Sequence, residues 1–297
     1  MKQTFIRIVA RLLSTLRPSN SSSPVLGASA VPSEPEGPAV CGEELDLVRQ
    51  DPRDLYIDLL IKCISYLIYG PPPIDPWNDG LFRPDAKPGR DRHSPAHSMV
   101  GVLRLKNVRD LVQRTIDLGV PGDFIETGVW RGGCCILIRG VLAANQIRDR
   151  KVYLADSFEG LPRPSKLFPQ DRGDTHHKIR EMAVSLDEVK ENFRRYGLLD
   201  DQVIFVKGYF SDTLPALDAG PFALVRLDGD MYESTYVALE ALYPKLAPGG
   251  FIIIDDYNAI KQCCQAVTDY RAKLSISDTL QQADWSAVYW QKSDFAL

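Results

Sequence analysis

The sequence predicts an α/β fold in which a mainly parallel sheet carries helices on both faces. Beyond residue 122, short and almost uninterrupted apolar runs alternate with longer stretches that have helical spacing, such as 135–145. The apolar runs are 124–125, 152–155, 203–206, 224–227 and 251–254. Strands this apolar are typical of parallel sheets, which are buried on both faces. A last run, 288–290, is predicted to form a final, antiparallel strand.

Residues 1–45 are predicted to form a basic tail and a disordered linker outside this domain. The segment 1–17 carries four cations and no acidic residue, and its apolar residues interleave with them at roughly helical spacing. This pattern is typical of a short amphipathic helix or a targeting peptide, and a poorly ordered tail is the alternative. Residues 18–40 are rich in Ser, Pro, Ala and Gly, a composition that cannot bury an apolar core.

Residues 46–297 are predicted to form the folded domain, which begins with a helical cap over residues 46–120. An apolar stripe predicts one helix around 55–64. A second helix is expected over about 100–118, because a Gly and a Pro-Gly pair follow it. Residues 70–92, which are rich in Pro and Gly, are predicted to be a loop between the two helices.

Composition narrows the class of protein. The formal net charge of −4 argues against a general nucleic-acid binder, which would carry a basic surface. The six cysteines include two adjacent pairs and no C-x-x-C spacing, which favours reduced thiols in a cytoplasmic protein over a zinc site or a disulfide framework. Because no run of about 18 apolar residues occurs, no membrane span is expected.

Residues 126–133 form a glycine-rich loop between the first predicted strand and the following helix. Its glycines would let the backbone pass close to a ligand, and the start of the helix offers N–H groups. The spacing differs from the G-x-G-x-x-G loop of dinucleotide-binding proteins, which argues against a nucleotide-dependent oxidoreductase. Glu126 suits an amino-acid ammonium group better than a pyrophosphate. A plain strand–helix turn is the alternative.

Two further strand ends predict contacts to a nucleoside. Asp156 ends the second strand, where an acidic residue can accept hydrogen bonds from both hydroxyls of a ribose. After the third strand, residues 208–212 could place an aromatic and a polar side chain beside an adenine ring. These residues are expected to meet because ligands of parallel sheets bind beyond the carboxyl ends of the strands.

Four carboxylates follow the fourth and fifth predicted strands. Asp228 and Asp230 come after the fourth strand, and Asp255 and Asp256 come after the fifth. Like charges in such a cluster raise one another's pKa unless a cation neutralises them. A hard divalent cation with oxygen ligands is the usual solution, and Mg²⁺ is the natural candidate. For any single one of these residues, a helix-cap or turn role is the alternative.

The residues at these strand ends resemble the macrocin O-methyltransferase (TylF) family. The resemblance is carried by the stretches 123–133, 156–162, 226–235 and 249–257, and it covers about residues 50–293. It implies a class I methyltransferase fold, with a Rossmann-like sheet in the order 3-2-1-4-5-7-6. It also implies S-adenosylmethionine and Mg²⁺ as cofactors, a sugar hydroxyl of a natural product as the acceptor, and a homo-oligomer (dimer or tetramer).

By position, the resemblance assigns a role to each residue of the site. The implied metal ligands are Asp228, Asp255 and Asp256, and the implied general base is Asp230. The implied contacts to S-adenosylmethionine are Met99, Glu126, Gly128, Val129, Gly132, Cys134, Asp156, Phe210 and Ser211. In this arrangement a metal-bound hydroxyl is acidified, and the base accepts its proton during methyl transfer.

The segment 163–195, between the second and third strands, is too long for a plain connection, so part of it is predicted to be a lid. His176 and His177 within it are alternative candidates for the base. Two other functions stay open. A small-phenol or catechol-type O-methyltransferase would need the same loop and metal, and would differ in its lid and acceptor pocket. A non-catalytic cofactor-binding scaffold is disfavoured, because it has no reason to keep four clustered carboxylates.

Overall fold

The computed structural model describes residues 51–69 and 96–293, so the predicted tail and linker at 1–45 and the predicted loop at 70–92 lie outside the described residues. The helices are α1 Pro52–Ile64, α2 Val102–Asp117, α3 Gly133–Ala144, α4 Leu186–Arg195, α5 Phe210–Thr213, α6 Tyr232–Leu242 and α7 Lys261–Lys273. The strands are β1 Asp123–Thr127, β2 Val152–Asp156, β3 Val203–Lys207, β4 Phe222–Leu227, β5 Leu246–Ile254, β6 Gln281–Gln282 and β7 Val288–Gln291. Short 3₁₀ helices occur at Leu67–Tyr69, Pro169–Asp171, His176–Lys178, Arg180–Met182 and Tyr243–Lys245.

The strands of the described residues form one sheet in the order β3-β2-β1-β4-β5-β7-β6, which confirms the predicted order. Strands β1 to β5 run parallel to one another. Strand β7 runs antiparallel to β5 and β6, as predicted for the last strand. The chain moves outward in one direction from β1 and in the other from β4. A crevice for ligands is therefore expected beyond the carboxyl ends of these two central strands.

The sheet separates two apolar layers, and alternate residues of each strand face opposite layers. Phe124 packs in the layer that contains α1, α2 and α3, whereas Ile125 packs in the layer that contains α6 and α7. Leu224 and Val225 divide in the same way. All four side chains are fully buried. The near-continuous apolar strands thus reflect burial on both faces, and the predicted helices on both faces are confirmed.

Helices α1 and α2 pack against α3, and both of these predicted helices are confirmed. Helix α1 begins after Asp51, whose carboxylate accepts a hydrogen bond from the N–H of Arg53 at 2.9 Å. Helices α1 and α3 approach closely at Gly140, where an added Cβ would lie 2.2 Å from Leu60 Cδ2. Within the described ranges, none of the helices combines the length and the apolar character needed to cross a bilayer.

His97 ties the end of α1 to the residue that follows α4. The backbone N–H of His97 donates to the carbonyl of Ile64 at 2.9 Å, and its ring atom Nδ1 lies 2.7 Å from the hydroxyl of Tyr196. Burial lowers the pKa of His97 to about 4, and the positive charges of Arg195 and Arg131 act in the same direction. The imidazole is therefore neutral in the folded protein at physiological pH.

This burial predicts a pH dependence of stability. The unfolded chain protonates His97 near its ordinary pKa of about 6.5, so between that pH and about 4 the unfolded state binds more protons than the folded state. The contribution of His97 to stability is complete above the unfolded pKa and declines as the pH falls through this window. We expect His97→Gln, which keeps a hydrogen-bonding side chain, to lose less thermal stability than the unmodified protein between pH 7 and pH 5. Calorimetry at several pH values measures the difference, and parallel declines would contradict it.

Candidate active site

A cavity of about 960 Å³, open to solvent, lies beyond the carboxyl ends of the central strands. Nine of the residues predicted for the site line it: Met99, Glu126, Gly128, Val129, Cys134, Asp156, Phe210, Asp228 and Asp230. The structure thus brings together residues from five segments that are far apart in the sequence.

Four other predicted site residues do not line this cavity. Gly132 precedes α3, and a Cβ on it would lie 3.0 Å from Val189 Cγ1, so it serves the packing of α3 against α4. Ser211 is exposed, and its hydroxyl lies 3.3 Å from a carboxylate oxygen of the adjacent Asp212. Asp255 and Asp256 are buried beneath the surface of the cavity, beside Asp228.

Gly128 brings the glycine-rich loop into direct contact with the carboxylate loop. Its φ is +81°, and a Cβ built on it would lie 1.8 Å from the carbonyl oxygen of Asp228. The contact extends the sheet, because the N–H of Asp228 donates to the carbonyl of Thr127 at 2.9 Å. Only glycine fits this position, since any side chain would push the two loops apart.

Asp156 is held by the backbone of two loops. Its carboxylate accepts hydrogen bonds from the N–H groups of Val129 at 2.8 Å and Phe158 at 2.7 Å. Burial raises the pKa of Asp156, and the hydrogen bonds from these two N–H groups oppose the shift. These bonds orient the carboxylate of Asp156 at the end of β2, where it lines the cavity.

Arg226 is a fully buried cation at the floor of the cavity. Its guanidinium donates to Glu126, to Asp228 at 3.0 Å and to Asp255. Burial raises the pKa of Glu126, and the charge of Arg226 opposes this shift. Arg226 was not among the predicted site residues. Its position as a lone arginine inside the apolar run 224–227 nevertheless indicates a buried charge that needs acidic partners.

The carboxylates at the ends of β4 and β5 form a compact cluster. One oxygen from each of Asp228, Asp255 and Asp256 lies within 4.8 Å of the other two. The guanidiniums of Arg226 and Arg104 offset part of the negative charge of this cluster, since both donate hydrogen bonds to Asp255. The carboxylates around these two guanidiniums are Glu126, Asp228, Asp255, Asp256 and Asp284. The three clustered side chains offer only carboxylate oxygens, and an all-oxygen donor set fits a hard divalent cation.

Three loops around the cavity contain non-glycine residues with positive φ. Trp130, Phe158 and Asp230 have φ values of +48°, +56° and +58°. Asp230 is the centre of a three-residue turn in which the N–H of Met231 lies 2.6 Å from the carbonyl of Gly229. Such conformations are costly and concentrate at functional sites. The turn separates Asp230 from the buried cluster and places it at the cavity wall.

The predicted lid segment 163–195 is anchored beside the cavity. The carboxylate of Asp171, which is buried, accepts hydrogen bonds from the N–H groups of Tyr232 at 2.8 Å and Glu233 at 2.9 Å, and so caps α6. The indole N–H of Trp130 donates to the carbonyl of Glu181 at 2.8 Å. The Asp171 cap was not predicted, because no local motif links this residue to a helix 61 residues away.

The lid histidines stand apart from the cavity lining. His176 Nδ1 lies 2.6 Å from a carboxylate oxygen of Asp174, and the N–H of His176 donates to the same side chain. Neither His176 nor His177 lines the cavity, whereas Met182 of the lid does. Of the two kinds of candidate base, Asp230 is therefore the one at the cavity wall.

Comparison with known proteins gives a consistent result. The profile of the family described as Macrocin-O-methyltransferase (TylF) matches residues 78–292. A protein named 8-demethyl-8-(2,3-dimethoxy-alpha-L-rhamnosyl)-tetracenomycin-C 4'-O-methyltransferase, from Streptomyces olivaceus, is 49% identical over 82% of this chain and 94% of its own length. Demethyldecarbamoylnovobiocin O-methyltransferase from Streptomyces niveus is 45% identical over 80% of this chain and 94% of its own.

A solved structure agrees in fold as well as in sequence. The structure of the O-methyltransferase NovP is 44% identical to this chain, covers 81% of it and 99% of its own chain, and has a TM-score of 0.74. Mycinamicin III 3''-O-methyltransferase from Micromonospora griseorubida is 43% identical over 81% of this chain and 97% of its own length. The similarity therefore extends over nearly the whole length of these relatives.

The contact between Gly128 and Asp228 generates a prediction. Gly128→Ala should weaken binding of S-adenosylmethionine by at least about tenfold, or roughly 1.4 kcal/mol, because the added Cβ separates the two loops that line the cavity. Gly119→Ala is the matched control, since Gly119 also has positive φ but has open space around its Cβ. Calorimetric titration of both variants, after circular dichroism has established that each is folded, measures the effect. Equal affinities would show that the contact is unimportant for the cofactor.

Proposed function

Because this chain belongs to the TylF macrocin-O-methyltransferase family and is an S-adenosylmethionine-dependent O-methyltransferase, we propose that it methylates a sugar hydroxyl of a glycosylated natural product with the assistance of Mg²⁺. The observation that carries the proposal is the cluster of Asp228, Asp255 and Asp256 beside a cavity whose wall holds Asp230. A methyl transfer to a hydroxyl needs an acidified and well-positioned acceptor oxygen, and a divalent cation held by these carboxylates would supply both.

The cofactor end of the cavity is assigned to the residues of the first three strand ends. Asp156, with its plane held by two backbone N–H groups, would accept hydrogen bonds from the ribose. Phe210 would pack beside the adenine ring, and Met99 would lie over the cofactor. Glu126 would contact the methionine part, together with the backbone of Gly128 and Val129. S-Adenosylmethionine supplies a methyl group already activated on a sulfonium.

The residues that follow β4 and β5 are assigned to metal and acceptor. Asp228, Asp255 and Asp256 would hold Mg²⁺, which when bound acidifies an acceptor hydroxyl and fixes its position. Asp230 would accept the proton of that hydroxyl as a general base. Its position supports this role, because it lines the cavity outside the three-carboxylate cluster.

Apolar residues of the cavity lining favour an acceptor that combines hydroxyl groups with an apolar body. Leu161 and Pro162 follow β2, and Met182 comes from the lid segment. These apolar side chains face the same cavity as the carboxylates of Asp228 and Asp230. The name of the Streptomyces olivaceus relative includes a rhamnosyl group, which agrees with a sugar-bearing acceptor.

We also propose a homo-oligomer, either a dimer or a tetramer, on the strength of the family resemblance. Size-exclusion chromatography with light scattering measures this directly. A monomer at the concentrations used for turnover would overturn this part of the proposal without affecting the chemistry.

The division of roles among the carboxylates predicts two kinds of variant. Asp228→Asn and Asp256→Asn should lose divalent-metal binding together with activity, because each loses a charged oxygen ligand. Asp230→Asn should bind S-adenosylmethionine and metal almost normally, and its turnover should fall by about 10²-fold or more, the usual contribution of a general base. Metal titration and single-turnover assays on the same preparations separate the two outcomes. Normal turnover of Asp230→Asn would exclude it as the base.

Metal removal tests the assistance by Mg²⁺ independently of any substitution. EDTA treatment should abolish activity, and added Mg²⁺ should restore it, while binding of S-adenosylmethionine should persist because its contacts lie at the other strand ends. Full activity after EDTA treatment would leave the methyltransferase assignment intact and refute the metal mechanism.

The choice of acceptor is tested with paired substrates. A rhamnosyl-bearing polyketide should be methylated in preference to catechol at equal concentration, because the cavity joins the carboxylates to apolar walls. Mass spectrometry of the products identifies the methylated group. Efficient methylation of catechol alone would favour the small-phenol alternative.

A further inference from the structure

Arg104 of α2 is a fully buried arginine that connects the helical cap to the carboxylate cluster. One of its terminal nitrogens donates to a carboxylate oxygen of Asp255 at 2.5 Å. The Nε atom and the second terminal nitrogen of Arg104 donate to the carboxylate of Asp284. These hydrogen bonds are 3.0 Å long from Nε, and 2.8 and 3.0 Å long from the terminal nitrogen. All three side chains have no exposed surface, so this is a buried acid–arginine–acid bridge.

Asp284 is itself immobilised by the turn that precedes β7. The Oδ1 atom of Asp284 accepts hydrogen bonds from the backbone N–H groups of Ser286 at 2.9 Å and Ala287 at 2.8 Å. The hydroxyl of Ser286 donates to the backbone carbonyl of Asp255 at 2.8 Å. The turn at 284–287 therefore holds Asp255 in two ways, by its main chain through Ser286 and by its side chain through Arg104.

We propose that Arg104 and Asp284 are positioning residues that set the orientation of the Asp255 carboxylate for a divalent cation, an inference that rests on the proposed metal-assisted function. Arg226 takes one oxygen of Asp255 and Arg104 takes the other, so the plane of the carboxylate is fixed from both sides. One oxygen of Asp255 lies within 4.8 Å of an oxygen of Asp228 and of an oxygen of Asp256, so the orientation of this carboxylate affects whether the three can share one cation.

The geometry explains why an arginine performs this task. A guanidinium is a rigid, planar fork that can hold Asp284 through one edge while a further N–H donates to Asp255. A lysine would keep the positive charge but present a single ammonium, which cannot fix two carboxylate planes at once. Hydrogen-bond partners of metal ligands of this kind typically contribute about 10- to 100-fold to metal affinity.

A purely structural bridge between cap and sheet would affect stability but not metal binding, and this difference defines the test. Mn²⁺ is used as the probe because carboxylate sites accept it like Mg²⁺, and its free concentration is measurable by electron paramagnetic resonance. Arg104→Lys should weaken Mn²⁺ binding by about 10- to 100-fold, while affinity for S-adenosylmethionine stays within about twofold. Asp284→Asn keeps the size and one oxygen of the side chain, and it should weaken Mn²⁺ binding by about tenfold.

Arg139→Lys is the matched control. Arg139 of α3 makes a two-pronged ion pair with Asp200, at 3.1 Å from Nε and 2.5 Å from a terminal nitrogen, and this pair contacts none of the proposed ligands. All variants are expected to lose thermal stability, but only the Arg104 and Asp284 variants should lose Mn²⁺ affinity. Unchanged Mn²⁺ affinity in both folded variants would overturn the positioning role and leave the proposed function standing. If the unmodified protein binds no Mn²⁺, the proposed metal assistance fails, and this inference fails with it.

Discussion

The candidate site depends on the ion pairs that the buried guanidinium of Arg226 makes with three carboxylates. This guanidinium is buried in the central strand β4 and contacts Glu126 of β1, Asp228 at its own strand end and Asp255 of β5. A buried charge of this kind is tolerable only while its partners remain in place, and removing one partner of a buried pair is strongly destabilising. Three strand ends are therefore held together by one cation, and the predicted cofactor and metal regions share it.

A close backbone contact between the loops after β1 and β4 adds to the ion pairs of Arg226. Gly128 lies against the carbonyl of Asp228, so the loop after β1 and the loop after β4 have no space between them. Positive φ values at Trp130, Phe158 and Asp230 show that the surrounding loops are held in uncommon conformations. Tightly packed elements that surround such residues are what keep them there. The residues that line the cavity thus lie largely on loops, and the sheet below determines where those loops lie.

The sequence was most informative where a physical signal is local. Buried parallel strands must be apolar along their whole length, so runs such as 251–254 predicted them directly, and the residues just beyond them predicted the site. Arg104 and Asp284 were missed because they are 180 residues apart and each resembles an ordinary surface residue in its own segment. Gly132 was assigned to the cofactor by position, whereas its surroundings are those of a helix-packing glycine. Contacts made only by tertiary packing leave no such trace in the chain.

The cap that Asp171 provides to α6 makes the order of that helix's first turn depend on a residue that is distant in the sequence. Without this carboxylate, the N–H groups of Tyr232 and Glu233 would be left to water, and the positive end of the helix dipole would lose an anion. Losing a helix cap costs about 0.5–2 kcal/mol. The residues just before α6, which include Asp230, therefore owe part of their stability to the segment 163–195.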